Sequence, residues 1–440
     1  MDRFNQIINR YSLLALLACY GLMVYTGFAF YPKWTKGGSE ATISWDVSGY
    51  YMYLPAIFIY KDLKECNFQY KIRERYSPTP HYEQARRYNS SSGKIMQYNY
   101  GQALAMSPFF LLAHGYTLIS NTHPSDGFSF PYQAFLGIGM FLYALVGVFL
   151  LRKILLNYFS DKITGIVLFF LIICTPLLNY LSIDQAQANP LLFSLYCLVI
   201  YLTMKFYESP SARKTMLLGF LCGFVTLIRP TDIICMVIPF LWGVNSLNDF
   251  KSRFTFWSVK TNWILLGMLC FIILPSFQFF YWKYAINDWF AYSYADQGFS
   301  WLKPHVVGFF LSYKSGFLTY GPAMILSYLG LYYFMRHGYE RWSVVLLILI
   351  SHYLITAWDI IDYGWYSGRA VIQYFPLLAF PLASLIENMM IKRTTRILFG
   401  ILFSISLYFN VWWTFHIHAG NTPAMNLTET QYWNNIGRWR

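Results

Sequence analysis

The strongest candidate for chemistry in this sequence is Asp46, an acid that stands shortly after the first strongly apolar segment. It lies in an aromatic-rich run, residues 43–60, where Tyr50, Tyr53 and Leu54 recur with partial helical spacing. This pattern predicts a helix that lies along a membrane surface with its apolar side towards the lipid. A carboxylate held there can accept a proton, so we predict that Asp46 is a general base. The alternative is that Asp46 only caps the helix, since Asp is a favoured N-cap residue.

Two arginines are candidates for binding a phosphate group. Arg229 stands in the sequence Leu-Ile-Arg-Pro, and Arg369 ends the run Tyr-Gly-Trp-Tyr-Ser-Gly-Arg. A guanidinium can bind two phosphate oxygens at once, which is why Arg is the preferred residue for this task. The alternative for each is an interfacial arginine whose charge reaches towards water from a membrane helix.

The remaining candidates are polar and aromatic side chains that we place on the same side of the membrane as Asp46. They are predicted to contact substrate and comprise Tyr50, Tyr98, Tyr100, Asp184, Asp296, Trp301 and Trp365. Aromatic rings can stack on sugar faces, but Tyr and Trp also form belts at membrane interfaces. For Asp184, a plain polar turn after an apolar segment is the alternative.

The composition places these residues in a helical membrane protein. The 440 residues are 56% hydrophobic and only 12% charged. The apolar runs have the length of helices, and a helix satisfies its own backbone hydrogen bonds in lipid. The net charge of +13 is explained by Lys and Arg in cytoplasmic loops. No motif supports nucleic-acid binding, and the seven cysteines form no disulfide framework or metal pair.

Alternating basic and acidic turns predict about eleven transmembrane helices with a cytoplasmic N-terminus. The predicted spans are about residues 12–31, 131–151, 163–183, 190–205, 215–228, 231–246, 262–284, 319–335, 343–357, 371–388 and 396–415. The segment 102–119 is also apolar, but if it crossed the membrane, Arg152 and Lys153 would become external. We therefore predict that it lies on the surface, within one external region of residues 32–130. A second external loop, residues 285–318, includes a segment predicted to re-enter the membrane or lie flat.

This organisation resembles that of the GT-C glycosyltransferases, which are integral membrane enzymes. Members carry an acidic motif just after the first span, and here Trp-Asp-Val-Ser-Gly-Tyr-Tyr at residues 45–51 stands at that position. The segment Tyr-Asn-Tyr-Gly-Gln at residues 98–102, Leu-Ile-Arg-Pro at 227–230 and Gly-Trp-Tyr-Ser-Gly-Arg at 364–369 are similar to further motifs of bacterial members. The likeness in architecture covers most of the chain as a single domain, residues 1–440, while the motifs cover about a tenth of it.

The resemblance implies an all-α polytopic membrane protein with juxtamembrane helices in its first external loop. It implies an inverting transfer of sugar from a polyprenyl-phosphate donor to a lipid, glycan or protein acceptor of the cell envelope. The reaction would occur on the periplasmic face of a bacterial inner membrane, in contact with membrane lipids. Many members have paired acids in the first loop, whereas Asp46 has no acidic neighbour. A divalent cation therefore stays an open alternative, and we assign no metal ligands.

Two other functions remain open at this point. A transporter or flippase of lipid-linked glycans would use the same substrates, but it should carry ionisable groups at mid-membrane. The predicted spans contain no such carboxylate in our interpretation. A polysaccharide polymerase or ligase would also use external arginines. A cavity shared by Asp46 and Arg369 would favour the transferase.

Overall fold

The computed structural model describes residues 10–79, 83–88, 93–294, 297–337, 341–360, 368–420 and 426–438. The first part of the chain, up to residue 129, contains five helices and one small hairpin among the described residues. These elements are α1 (Arg10–Val24), α2 (Trp45–Tyr51), α3 (Tyr53–Phe58), α4 (Phe68–Tyr76), the antiparallel strands β1 (Ala85–Arg87) and β2 (Lys94–Met96), and α5 (Gly101–Ser120). A π-helical segment, Tyr25–Phe30, continues α1, and short 3₁₀ turns follow at Lys33–Thr35 and Gly38–Glu40.

The rest of the chain forms a bundle of helices of very different lengths. The long helices are α6 (Phe130–Leu155), α9 (Ala188–Glu208), α10 (Ala212–Ile228), α13 (Thr261–Ile286), α17 (Arg341–Ala357), α18 (Phe375–Met389) and α19 (Arg393–His418). Between and after them lie α7 (Asp161–Ile173), α8 (Leu177–Ser182), α11 (Val237–Leu241), α12 (Leu247–Val259), α14 (Val306–Leu311), α15 (Phe317–Tyr320), α16 (Ile325–His337) and α20 (Glu429–Asn435). Further 3₁₀ segments are Pro230–Met236, Pro322–Met324 and Arg369–Tyr374.

The fold confirms a mainly helical membrane protein, but it does not confirm eleven spans. Within the described ranges, seven helices are long and apolar enough to cross a membrane: Arg10–Thr35, Gly101–Ser120, Phe130–Leu155, Ala188–Glu208, Thr261–Ile286, Arg369–Met389 and Arg393–His418. Several predicted spans are instead broken or short. The predicted span 163–183 divides into α7 and α8 before Pro176, and a 3₁₀ segment beginning at Pro230 follows α10. Proline cannot donate a backbone hydrogen bond, so a helix breaks there.

One end of the bundle collects basic residues, and we call it the basic end. Here the Arg152 side chain donates to the Ser12 hydroxyl at 2.9 Å. The Asp161 carboxylate accepts from the backbone amides of Tyr11 and Ser12 at 2.9 and 3.0 Å. These bonds satisfy amides at the start of α1 that have no partner within the helix. They bring the beginnings of α1 and α7 and the end of α6 to one level.

The opposite end of the bundle carries most of residues 32–130, and we call it the loop end. The Tyr51 hydroxyl donates to the Gly127 carbonyl at 2.5 Å, and the Tyr76 hydroxyl donates to Asp126. The Ile43 amide donates to the Gln133 side chain near the start of α6 at 2.7 Å. The first and last parts of this region are therefore joined to each other as well as to the bundle.

Helix α5 packs antiparallel against the part of α6 nearest the loop end. The Tyr143 hydroxyl donates to the Ala105 carbonyl at 3.2 Å, and His114 Nδ1 lies 2.7 Å from the Tyr132 hydroxyl. Between these contacts, a Cβ atom added to Gly139 would lie 2.1 Å from the Phe109 ring, so only glycine permits this approach. The contacts cover the half of α6 nearest the loop end. Helix α5 thus does not run alongside α6 as far as the basic end.

Candidate functional site

The structure brings together the two sequence-predicted residues with the strongest chemical roles. Arg369 Nη2 lies 2.5 Å from Asp46 Oδ2, although 323 residues separate them in the chain. Both side chains are mostly buried, since 13% of the Arg369 side chain and 19% of the Asp46 side chain is exposed. Neither group is completely enclosed. A base candidate and a phosphate-binding candidate thus form one ion pair.

Asp46 lies in the first turn of α2 and does not occupy the N-cap position. Ser44 occupies that position, so the alternative that Asp46 is an N-cap residue is wrong. The turn is fixed by hydrogen bonds to the backbone of Trp45: its amide donates to the Pro78 carbonyl at 3.0 Å, and its carbonyl accepts from Gln84 Nε2 at 2.7 Å. The carboxylate is therefore held by the surrounding region and is directed at a guanidinium.

Arg369 begins a 3₁₀ segment after a residue that must be glycine. Gly368 has φ of +50°, and an added Cβ would lie 2.8 Å from Phe317 Cβ. Its amide donates to the Ser315 carbonyl at 2.8 Å. The left-handed backbone at this position favours glycine. The turn aims the following side chain towards α2.

The segment that carries Arg369 also contacts a carboxylate that the sequence analysis did not select. Asp232 is fully buried and accepts hydrogen bonds from the Tyr196 hydroxyl at 2.8 Å and the Tyr374 hydroxyl at 2.6 Å. Tyr196 stands eight residues into α9, about 12 Å from its start at 1.5 Å per residue. We call Tyr196, Asp232 and Tyr374 the Asp232 cluster. Its position corrects our interpretation that the apolar segments contain no internal carboxylate.

The Asp232 cluster connects the two segments that carry the predicted phosphate-binding arginines. The Asp232 amide donates to the Arg229 carbonyl at 2.9 Å, and Arg229 interacts electrostatically with the Asp232 carboxylate. Tyr374 closes the 3₁₀ segment that Arg369 opens. Arg229 is thus grouped with Asp232, and Arg369 is grouped with Asp46. The sequence signal for this arrangement is Arg-Pro-Thr-Asp at residues 229–232, where a helix break is followed at once by an acid.

The predicted substrate-binding tyrosines all take part in packing near α2. Tyr50 and Tyr98 stack with ring centres 4.2 Å apart, and the Tyr53 hydroxyl donates to the Tyr98 carbonyl at 2.8 Å. The Tyr100 hydroxyl donates to the Leu274 carbonyl of α13 at 2.6 Å. The Tyr50–Tyr98 stack adjoins the helix that carries Asp46. A contact between these rings and a substrate stays a prediction.

Asp184 lies in a closed polar network of its own. Its carboxylate pairs with Lys33 Nζ at 2.7 Å and accepts from Asn179 Nδ2 at 2.8 Å, and His418 Nε2 lies 2.5 Å from Asn179 Oδ1. Burial alone would raise the pKa of Asp184, but Lys33, His418 and Asn179 together hold it below its ordinary value. This network joins the end of the first apolar segment to the ends of α8 and α19. Orientation of an acceptor by Asp184 stays a prediction.

The other candidates lie in or near the loop that follows α13. Trp301 stacks on Phe299 with ring centres 4.6 Å apart, and Phe299 also contacts the edge of Trp358 at 4.8 Å. Trp301 is 46% exposed, so its ring is accessible to a ligand or to lipid. Asp296 and Trp365 lie outside the described residues. Within the described ranges, no group of three or more His, Cys, Asp or Glu side chains is placed to hold a metal ion.

Comparisons with known proteins do not assign the chain to a family. No family model and no curated protein matches it. Among solved structures, it is similar to the crystal structure of the Archaeoglobus fulgidus oligosaccharyltransferase in the apo form, with a TM-score of 0.47 and 11% identity. The similarity covers 95% of this chain and 57% of that chain. What the fold itself defines is a helical membrane protein with a buried ion pair at one end of its bundle.

Proposed function

We propose that the protein is a GT-C-type glycosyltransferase that moves a sugar from a polyprenyl-phosphate carrier to an acceptor in the cell envelope. The observation that carries the proposal is the contact between Asp46 and Arg369 at 2.5 Å. Such a transfer needs a base for the acceptor hydroxyl and a positive charge for the leaving phosphate. A mostly buried carboxylate–guanidinium pair at one end of a membrane bundle supplies both groups. The acceptor is a lipid, a glycan or a protein.

The ion pair between Asp46 and Arg369 supports an order of reaction steps that begins when the donor separates the two side chains. The donor phosphate binds Arg369 and takes the place of the carboxylate, since phosphate oxygens match the guanidinium fork. Asp46 then accepts the proton of the acceptor hydroxyl while that oxygen bonds to the anomeric carbon. The bond between the anomeric carbon and the phosphate oxygen breaks, and its electron pair leaves with the phosphate. Attack opposite the leaving group inverts the anomeric configuration.

The proposal includes an active face at the loop end, outside the cytoplasm. The contacts between Tyr51 and Gly127 and between Tyr76 and Asp126 support a single region on that side. The packing of α5 against the part of α6 nearest the loop end also supports it. Residues 32–130 then form one external region, and the basic end faces the cytoplasm of a bacterial cell in agreement with the positive-inside rule.

We expect a cysteine introduced at Ser125 to react with a membrane-impermeant maleimide in intact cells. The residue lies in the connection between α5 and α6, which the proposal places outside. A cysteine at Ser252, on the exposed surface of α12 near the basic end, is the matched control and should react only after permeabilisation. Labelling of the Ser125 position only after permeabilisation would show that α5 crosses the membrane and that the external region is divided.

A flippase or other transporter of lipid-linked glycans is the second candidate, and the Asp232 cluster is the observation that favours it. An ionisable group buried within a membrane bundle, next to a helix break, is a feature of transport pathways. An experiment in proteoliposomes that contain a short-chain polyprenyl-phosphate sugar distinguishes the two functions. A transferase releases free polyprenyl phosphate when an acceptor is present, whereas a flippase moves the intact lipid between leaflets and releases none.

We expect Asp232→Asn to lower the stability of the protein more than its turnover. The two tyrosine hydroxyls lose a carboxyl oxygen as acceptor, and such a hydrogen bond contributes about 0.5–3 kcal/mol, depending on the charge of the acceptor. The melting temperature should fall, while the folded fraction should keep donor turnover within about tenfold, because the proposal gives Asp232 no proton transfer. Tyr196→Phe removes one of the same hydrogen bonds without touching the charge and serves as the control. Loss of lipid movement with stability unchanged would instead support the transporter.

A further inference from the structure

The basic end, opposite the proposed active site, carries a groove that the proposed function does not use. A groove of about 490 Å³ runs between α7 and α19, within the size range of small-molecule sites. Lys162 and Arg396 stand at its rim, in the first turns of the two helices. Phe169 and Phe403 close its inner end and stack with ring centres 6.0 Å apart. The groove therefore has a basic rim and an apolar interior.

The two walls of the groove are in register with each other. Lys162 and Phe169 are seven residues apart on α7, and Arg396 and Phe403 are seven residues apart on α19. At 1.5 Å per residue, the apolar interior extends about 10 Å below the charged rim on both helices. Gly400 lies between Arg396 and Phe403 on α19 and leaves free space in the groove, because a Cβ added to it would meet no atom within 4 Å.

Lys162 and Arg396 place two positive charges at the rim of the groove. Asp161, next to Lys162, is engaged by the amides of Tyr11 and Ser12. Arg396 Nη2 donates to the Met390 carbonyl at 2.8 Å, which fixes the guanidinium at the rim. The positive ends of the α7 and α19 helix dipoles add a further attraction for negative charge. An anionic head on an apolar chain satisfies both parts of the groove, whereas a free anion leaves the phenylalanine-lined interior empty.

We propose that this groove binds an anionic phospholipid, with the head group between Lys162 and Arg396 and an acyl chain against Phe169 and Phe403. The site is independent of the proposed sugar transfer, because it lies at the other end of the bundle. Its occupant would bridge α7 and α19 and stabilise the packing of the last long helix on the bundle.

The test measures retention of phosphatidylglycerol and phosphatidylcholine by the purified full-length protein, using native mass spectrometry in detergent. We expect the wild type to retain phosphatidylglycerol at least tenfold better than phosphatidylcholine. The double variant Lys162→Gln/Arg396→Gln should lose about tenfold to thirtyfold in phosphatidylglycerol affinity, since each basic residue contributes about 1 kcal/mol near an anionic lipid. Gly400→Leu keeps both charges, fills the groove and should weaken binding by at least tenfold.

Gly21→Leu is the matched control, because a Cβ added to Gly21 in α1 also meets no atom within 4 Å. Leu is a better helix former than Gly, so neither substitution should lower the melting temperature. Unchanged phosphatidylglycerol binding in the double variant would overturn the proposal. Equal binding of both lipids by the wild type would also overturn it. Undiminished phosphatidylglycerol binding by Gly400→Leu would overturn it as well, because binding would then depend on surface charge alone and not on the groove. Displacement of the lipid by millimolar inorganic phosphate would also overturn it.

Discussion

Replacing Asp46 by Asn is expected to lower the rate of sugar transfer about a hundredfold or more while leaving donor binding intact. Asn keeps the size of the side chain and can still accept a hydrogen bond from Arg369, but it cannot take up a proton from the acceptor. Loss of a general base typically costs between about a hundredfold and ten-thousandfold in rate. Donor affinity should stay the same or rise, because the donor phosphate no longer competes with a carboxylate for the guanidinium. The measurement is turnover with saturating donor, together with the donor Kd.

Turnover and donor Kd together distinguish a general base from a residue that only positions Arg369. If Asp46 acts solely by orienting the guanidinium, the Asn variant should bind donor more weakly and keep its turnover at saturation. Glu40→Gln is the matched control, since it removes a carboxylate from the same end of the bundle, where Glu40 accepts a hydrogen bond from Tyr31. Melting temperatures must be compared, so that unfolding is not counted as lost chemistry. A folded Asp46→Asn protein with near wild-type turnover would contradict both the base assignment and the proposed function.

The sequence predicted that Asp46 and Arg369 lie at the same depth of the membrane. It did not predict that they are in contact. Charge alternation placed both on one side, but their contact depends on how a left-handed turn at Gly368 directs the following side chain. A bundle of helices offers many lateral arrangements of the same spans, and hydropathy distinguishes none of them. The ion pair therefore had to come from the tertiary structure.

Asp232 was missed because a single acid inside an apolar stretch does not alter a hydropathy average. Its environment depends on Tyr196 and Tyr374, which lie 36 residues before it and 142 residues after it.

The helix ends were missed for a related reason. Regular helix is interrupted near Pro176 and Pro230. A topology derived from loop charges predicts only the side of the membrane on which each loop lies, so it does not detect such breaks. The membrane class and helical fold follow from composition, while span number depends on these local breaks.

Replacing Arg369 by Ala is expected to weaken donor binding roughly tenfold to a hundredfold. A charge-assisted contact between a guanidinium and a phosphate contributes about 1.5–3 kcal/mol, which corresponds to that range. Arg369→Lys should restore only part of the affinity, because an ammonium supplies charge without the planar fork. The measurement is the Kd for a polyprenyl-phosphate sugar, with polyprenol lacking the phosphate as the reference ligand. Affinity for that reference should be unchanged, since the lost contact is to the phosphate alone.

Arg75→Ala provides the control for net charge in this prediction. Arg75 lies at the loop end, pairs with Asp126 at 3.5 Å and has 58% of its side chain exposed. Exposed pairs contribute little, so its loss should change donor affinity by less than about threefold. A general electrostatic attraction of the lipid phosphate would instead weaken binding equally in both variants. Equal effects, or unchanged donor affinity in Arg369→Ala, would remove Arg369 from the donor site, whereas a selective loss would link the phosphate to the guanidinium that contacts Asp46.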